Sequence, residues 1–340
     1  MSDKQLGVGV DVGTAFLVKA ALDGNEVKFK KERDAFFSME ISDTTKNVLE
    51  MTNVPFIEDP ETNQIYVVGE EALKLGTMID GTLRRPLKGG VISNKEREAI
   101  KILQSLIESL VGKAKQEGET LHYTVPAAPV NADFDIVYHE SVLNSIFTNL
   151  GYTPKPINEA LCIVYSQLVS KRLTGATLSF GSGMSNVCLS MMGIPAVTFS
   201  IVGGGDSIDQ GAQKAVVGKR LTQVTSRKEK GINIVNPDPK DDVEVALSIY
   251  YKSLIKNVVK GFANAVNTAE KVPTFQEPIT VVVAGGTSLA GGFMDVLKEE
   301  FSLVKLPFEI GEIVHAKDPL YAVADGALKA SLIEEKKKSK

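Results

Sequence analysis

Two segments about half a chain apart follow one plan, and no other feature of the sequence restricts the fold as strongly. Residues 6–10 read as a β run, Gly13-Thr14 as a turn and residues 16–22 as a second strand. Asp23-Gly24-Asn25 then reads as a hairpin turn and residues 26–30 as a third strand. Further on, residues 176–178 lead into Gly181-Ser182-Gly183, residues 186–191 form a strand, Gly193-Ile194-Pro195 turns, and residues 196–200 return. Laid together, Val10-Asp11-Val12-Gly13-Thr14 falls on Leu178-Ser179-Phe180-Gly181-Ser182. A period of about half the chain is too long for a solenoid. It predicts two related α/β domains that face each other.

Helical patterning follows each hairpin segment. Ser93 and Glu96 have the spacing of a capping box, and Ile100, Leu103, Leu106, Ile107, Leu110 and Val111 make one apolar stripe. Residues 136–150 predict a second helix, stopped by Gly151, and residues 157–171 a third after Pro154 and Pro156. In the second half, residues 207–217 and 243–269 read as helices, and residues 281–284 as a short buried strand feeding Gly285-Gly286. A helix follows Gly291-Gly292, and a last one starts near Asp318-Pro319 and fades into residues 334–340, read as a solvated charged end. Residues 31–80 interrupt the first half with a mixed polar segment carrying strands at 53–57 and 65–68, and residues 220–242 loosen the second. Both read as subdomain insertions.

Composition narrows the partners. Of the 340 residues 43% are apolar, enough for sizeable cores, and 24% are charged with a net charge of −4. Phosphate-backbone binding shows as a basic excess, so nucleic acid is not the expected partner. Cys162 and Cys188 lie far apart in apolar surroundings and read as buried thiols. His122, His139 and His315 are scattered without metal-ligand spacing, and no serine or cysteine sits in a nucleophile elbow. The first ten residues show neither a secretory signal nor an amphipathic anchor, and no run approaches the ~18 apolar residues of a membrane span. The expectation is a cytoplasmic protein with no strong membrane anchor.

The chemistry lies in the glycine turns. Val8-Gly9-Val10-Asp11-Val12-Gly13-Thr14 ends a buried strand in a carboxylate and a turn. Successive N–H groups of such a turn form an anion concavity, and Thr14 adds a hydroxyl. Asp11 would face a magnesium ion, acting through water because Mg²⁺ keeps most of its hydration shell. Alone, this turn is an ordinary hairpin. Its company is the second hairpin, Gly203-Gly204-Gly205-Asp206 before a helix, and Gly285-Gly286-Thr287 with Gly291-Gly292 after a strand. Glycines at strand ends and helix starts let backbone approach a nucleotide, and helix dipoles favour its phosphates. Four such places in one chain make phosphate binding the better account.

The order of these motifs resembles the actin-like ATPases, most closely the prokaryotic MreB and MamK type. Asp11-Val12-Gly13-Thr14 is similar to the first phosphate motif, Arg85-Pro86-Leu87-Lys88-Gly89-Gly90-Val91-Ile92 to the R-P-x-x-x-G-V-I stretch, and Val125-Pro126-Ala127 to the V-P segment. Ile157-Asn158-Glu159-Ala160 resembles the start of the interdomain helix, and residues 179–187 stand at the second phosphate motif. Gly204-Gly205-Asp206-Ser207-Ile208-Asp209 resembles G-G-D-x-F-D, and residues 283–288 resemble the adenosine motif. Residues 318–327 resemble the D-P-x-x-x-V-A-x-G helix that returns to the first domain. Any one match is unspecific, but their shared order covers nearly the whole chain.

The resemblance implies an α/β actin-like fold of two ribonuclease-H-like domains around a nucleotide cleft, each with a small insertion. Domain I would comprise residues 1–157 and 322–340 with an insertion at about 31–80. Domain II would comprise 158–321 with an insertion at about 214–275. The resemblance also implies ATP or ADP with Mg²⁺ in the cleft and self-association into head-to-tail protofilaments. Asp11 would hold magnesium waters, Gly13 and Thr14 the β-phosphate, Gly181 and Ser182 the γ-phosphate, and Glu159 the attacking water. Gly204, Gly205 and Asp206 would complete the phosphate site, and Gly285, Gly286 and Thr287 would line adenine and ribose. Arg227 and Lys230 fall near the family's ribose and adenine contacts, or are surface charges on a helix. Lys19 faces the phosphates or, one residue out of register, the opposite side.

One departure is visible inside the chain. The second phosphate motif usually starts with Asp, and the internal repeat places Ser179 opposite Asp11. A hydroxyl brings no charge to magnesium, so slow hydrolysis is expected unless Asp206 or Asp209 supplies it. A filament-forming cytoskeletal ATPase is the leading expectation and a non-polymerising nucleotide-sensing scaffold the alternative. A kinase of the same superfamily would want a substrate-side catalytic Asp, and a chaperone ATPase a peptide-binding domain after residue 330.

Overall fold

The computed structural model describes residues 6–78 and 83–338. The first hairpin segment becomes an antiparallel meander of β1 (Val8–Val12), β2 (Phe16–Asp23) and β3 (Glu26–Arg33). The insertion after it contains β4 (Phe36–Glu40), α1 (Asp43–Met51), β5 (Phe56–Asp59), β6 (Gln64–Val68) and α2 (Glu70–Met78). The short pair β7 (Leu87–Lys88) and β8 (Val91–Ile92) leads to α3 (Ala99–Val111), β9 (Glu119–Val125), α4 (Val137–Asn149) and β10 (Tyr152–Asn158). Helix α5 (Glu159–Gln167) opens the second half. A second meander follows, β11 (Gly175–Phe180), β12 (Met184–Met191) and β13 (Ile194–Val202), then α6 (Gly205–Ala215), α7 (Leu221–Glu229) and α8 (Asp242–Thr268). The chain ends with β14 (Ile279–Ala284), α9 (Phe293–Ser302), β15 (Ile310–His315) and α10 (Ala322–Lys338).

The repeat extends from the turn motifs to whole sheets. One five-stranded sheet runs β3-β2-β1-β9-β10 and the other β13-β12-β11-β14-β15. Each joins an antiparallel meander to two parallel strands through its first strand. This is a mixed α/β, actin-like architecture. The two turns also close identically: Gly13 N–H donates to Phe16 O at 3.2 Å, and Gly181 N–H to Met184 O at 3.0 Å.

Helix α10 returns to the first sheet and packs against β1, β9 and α5. Two glycines allow this approach. A Cβ on Gly9 would collide with the backbone of Ala324 and Leu328, and one on Gly326 with the carbonyl of Cys162. Strand β9 is buried throughout although it reads Glu-Thr-Leu-His-Tyr-Thr-Val. Its polar groups are matched, as buried polar groups must be. Glu119 accepts from Gly7 N–H at 3.0 Å, His122 N–H donates to Ser331 Oγ at 2.9 Å, and Thr120 N–H donates to Glu335 at 2.9 Å. Cys162 and Cys188 are free and buried.

Three local expectations are corrected. Residues 157 and 158 are not helical: 152–158 form β10, an edge strand, where Pro154 and Pro156 cost no ladder bond on the open side. Asn158 instead caps α5, its side chain accepting from Leu161 N–H at 3.0 Å. The Ser93–Glu96 capping box does not form, because α3 begins at Ala99 and Glu96 is drawn to Arg84 Nε at 2.7 Å. The charged end is not simply solvated. Helix α10 continues to Lys338, Glu334 accepts from Lys155 at 2.8 Å and Lys338 donates to Gly118 O at 3.0 Å.

Candidate functional site

A cavity of about 410 Å³ lies between the two sheets, walled by both glycine turns. Its floor comes from strand ends. Asp11 is the penultimate residue of β1, and the neighbouring β9 supplies Thr124, whose hydroxyl donates to Asp11 Oδ1 at 3.0 Å and accepts from Val12 N–H at 2.9 Å. The carboxylate is thus fixed by the next strand. Across the cavity Glu159 is the first residue of α5. Ser179 Oγ donates to its Oε1 at 2.5 Å, and Asn186 Nδ2 to its Oε2 at 2.8 Å. Ser179 and Asn186 are direct partners on β11 and β12, so one cross-strand pair grips one carboxylate. Asn186 is itself oriented, since its Oδ1 accepts from Ala127 N–H at 3.3 Å.

Both carboxyls are held above the ordinary carboxylate range. Burial raises Asp11, against the lowering effect of the Thr124 bond. Burial raises Glu159, Asp11's charge adds to it, and the Ser179 bond works against both. Two half-buried acids that repel each other across a solvent-accessible space are what a divalent cation would relieve. No cluster of three or more His, Cys, Asp or Glu ligands occurs among the described residues. A cation here would rest on Asp11 through its own waters, which suits magnesium.

Backbone forms the rest of the wall. Thr14 Oγ accepts from Gly90 N–H at 3.1 Å, tying the first turn to the loop between β7 and β8. The second turn is gripped from behind. Gly205 N–H donates to Gly181 O at 3.1 Å, Asp206 N–H to Ser182 O at 2.9 Å, and Thr287 Oγ to Gly181 O at 2.8 Å. Gly204 and Gly285 press so closely that a Cβ on either would collide with the backbone of this turn, and Gly285 has φ +93° as well.

Most of the sequence-predicted residues meet at this cavity: Asp11, Gly13, Thr14, Glu159, Ser179, Gly181, Ser182, Gly205, Asp206, Gly285, Gly286 and Thr287 all line it. Three do not. Gly204 buttresses the second turn from outside the wall. Arg227 turns away to Asp241 and Glu244, both at 2.6 Å, and Lys230 is exposed at the end of α7. The lysine that reaches the cavity is Lys228, held by Asp209 at 2.8 Å and Gly205 O at 3.0 Å. Lys228 lies one residue from Arg227, and helix phase decides between them. Lys19 also points away, donating to Val111 O at 2.7 Å. Asp206 and Asp209, the two carboxylates that could stand in for the one absent at Ser179, both line the cavity and both carry other partners. Asp206 is bound to Arg85 and Ser182, and Asp209 to Thr225 and Lys228. Thr124 and Asn186 are functional neighbours that the motifs alone do not single out. The hairpin register of the second copy holds the signal for Asn186, because it faces Ser179 on the adjacent strand.

The family model described as Volactin matches residues 6–331. The chain belongs to the Volactin family. Among solved structures it is similar to a MamK double helical filament, with TM-score 0.73 and 19% identity over 95% of this chain and 98% of that one. It is also similar to a non-polymerising MamK mutant bound to AMPPNP, with TM-score 0.59 and 18% identity over 96% and 99% of the two chains. No curated protein matches. The likeness to MamK shows an actin-like fold over nearly the full length. No helix among the described residues is long and apolar enough to cross a membrane.

Proposed function

We propose that this chain binds ATP with magnesium between its two sheets and assembles with copies of itself into filaments, hydrolysing the nucleotide slowly. One observation carries the reading: two glycine turns related by the internal repeat and two half-buried acids, Asp11 and Glu159, converge on one cavity. The turns would present their N–H groups and the Thr14 hydroxyl to the phosphates. The glycines from 285 onward and the apolar side chains near Lys228 would take the nucleoside. The cation, when bound, offsets phosphate charge. Thr124 keeps Asp11 aimed at its waters. Glu159 would orient the attacking water and accept its proton, and its burial raises its proton affinity in that direction. Ser179 and Asn186 hold it in place. Ser179 adds no charge, so transition-state stabilisation is weaker than with a second carboxylate.

The domain limits fit this reading as 1–157 with 322–340 and 158–321, with insertions at about 31–80 and 214–275. Self-association is supported by the MamK filament of the same fold. A non-polymerising nucleotide sensor is the alternative. Phosphate release, pelleting and electron microscopy with ATP and Mg²⁺ over a range of salts test the proposal. Slow turnover with filaments is expected. Failure to bind nucleotide would overturn it entirely, and persistent monomers that bind nucleotide would leave the sensor.

A further inference from the structure

Arg85 crosses the cleft. It sits just before β7, on the first sheet's side, and its Nη1 donates to Asp206 Oδ1 at 2.8 Å, Asp206 Oδ2 at 2.9 Å and Ser182 Oγ at 3.4 Å on the other side. Its backbone is well anchored. The preceding residue exchanges backbone bonds with Phe36, and Leu87 N–H donates to the buried Asp34 at 3.0 Å. Asp34 Oδ1 is buried without a hydrogen-bond partner; burial holds this carboxyl well above the ordinary range, and the Leu87 bond and the nearby guanidinium offset that only in part. The Arg85 side chain is about one-fifth exposed and lines the cavity beside Ser182, in the second glycine turn. One guanidinium therefore stands between the Asp206 carboxylate and a phosphate-type turn.

We propose that Arg85 is the residue by which this site distinguishes a nucleoside triphosphate from a diphosphate. The inference rests on the nucleotide reading above and names the determinant of its specificity. Without a terminal phosphate, Asp206 holds the guanidinium and the two sides of the cleft are tied directly. A terminal phosphate lodged at Gly181 and Ser182 carries more charge than a carboxylate and matches the planar fork of arginine donors. It draws the guanidinium from Asp206, which keeps its bond from Ser182 Oγ at 2.6 Å. The tie across the cleft then runs through the nucleotide. A diphosphate leaves the Arg85–Asp206 pair intact. Truncating Arg85 removes an attraction for the terminal phosphate and also leaves an unpaired Asp206 beside it, so the triphosphate loses on both counts.

The test is calorimetric titration of the full chain with AMPPNP and with ADP, each with Mg²⁺, for wild type and for Arg85→Ala, Arg85→Lys and Asp206→Asn. AMPPNP keeps hydrolysis out of the comparison. Arg85→Ala is expected to weaken AMPPNP by about 10- to 100-fold, the loss of a hydrogen bond to a charged group. ADP should change by less than about threefold. Arg85→Lys should fall between, and Asp206→Asn should shift the preference towards AMPPNP by freeing the guanidinium. If Arg85→Ala does not fold, the other two variants carry the same ratio. Equal losses for both nucleotides, or an unchanged ratio in all variants, would overturn the assignment and leave Arg85 a structural tie. Wild type that binds neither nucleotide refutes the underlying reading instead.

Discussion

Glu159→Gln should make the metal-free protein more stable while abolishing hydrolysis. Glu159 is half-buried at the cavity wall, and its two carboxylate oxygens accept from Ser179 at 2.5 Å and Asn186 at 2.8 Å. Glutamine fills the same volume. Its carbonyl can accept from Asn186, and its amide can donate to Ser179 once that hydroxyl rotates, so both bonds survive. What disappears is a buried charge next to Asp11. The folded-state proton affinity of Glu159 is raised above its unfolded value by burial and then by Asp11. Its contribution to stability is therefore complete below the unfolded value and is lost as pH rises through the folded one. Glutamine has no such loss, so its advantage grows with pH. Removing an incompletely compensated charge there gives about 1–3 kcal/mol, or a Tm rise of roughly 1–4 °C. Thermal melts in EDTA at pH 6 and pH 9 measure it, with the larger difference expected at pH 9. A phosphate-release assay and an AMPPNP titration on the same variant should show lost turnover with binding kept. A variant less stable than wild type at pH 9, or equally stabilised at both pH values, would refute the account of a strained buried acid.

His139, on α4, is buried with neither ring nitrogen hydrogen-bonded, and burial lowers it from 6.5 to about 4. Stability should therefore fall as pH drops from about 6.5 towards 4, by up to roughly 3 kcal/mol from this group, and urea melts of His139→Leu should show a flatter acid limb. Gly326→Ala drives a methyl into the Cys162 carbonyl where α10 crosses α5; a loss of about 3 kcal/mol is expected by chemical denaturation. Lys228→Ala should weaken nucleotide binding by about tenfold through loss of a charge on the cavity wall, whereas Arg227→Ala should leave the affinity unchanged, as equilibrium titration would show.

Much of the site was legible because its chemistry is local. A glycine turn after a strand that ends in Asp11, and its degenerate copy at Ser179, can be seen in a few consecutive residues each. Helix ends were less legible. Residues 152–158 carry two prolines and an apolar residue that fit either a helix entry or an edge strand, and pairing with β9 decides for the strand. Ser93 and Glu96 have capping spacing, but Arg84, twelve residues before Glu96, takes its carboxylate. Arg227 and Lys228 are adjacent cations, and only the packing of α7 against α6 and α8 turns the second one inward.

By itself, the sequence determined two sheets of one design, the turns at Gly13 and Gly181, and the asymmetry between Asp11 and Ser179. These follow from short-range rules: glycine where backbone must approach closely, alternating apolar residues where a strand is half-buried, and a carboxylate or hydroxyl at a matching position in each copy. The tertiary structure decided which polar groups meet. Asn186 and Ser179 closing on Glu159, Thr124 holding Asp11, and Arg85 spanning to Asp206 join residues from 20 to 121 positions apart. Such bonds depend on how two sheets and α5 are placed in space, and hydrogen bonding is too short in range and too directional for sequence spacing to foretell it.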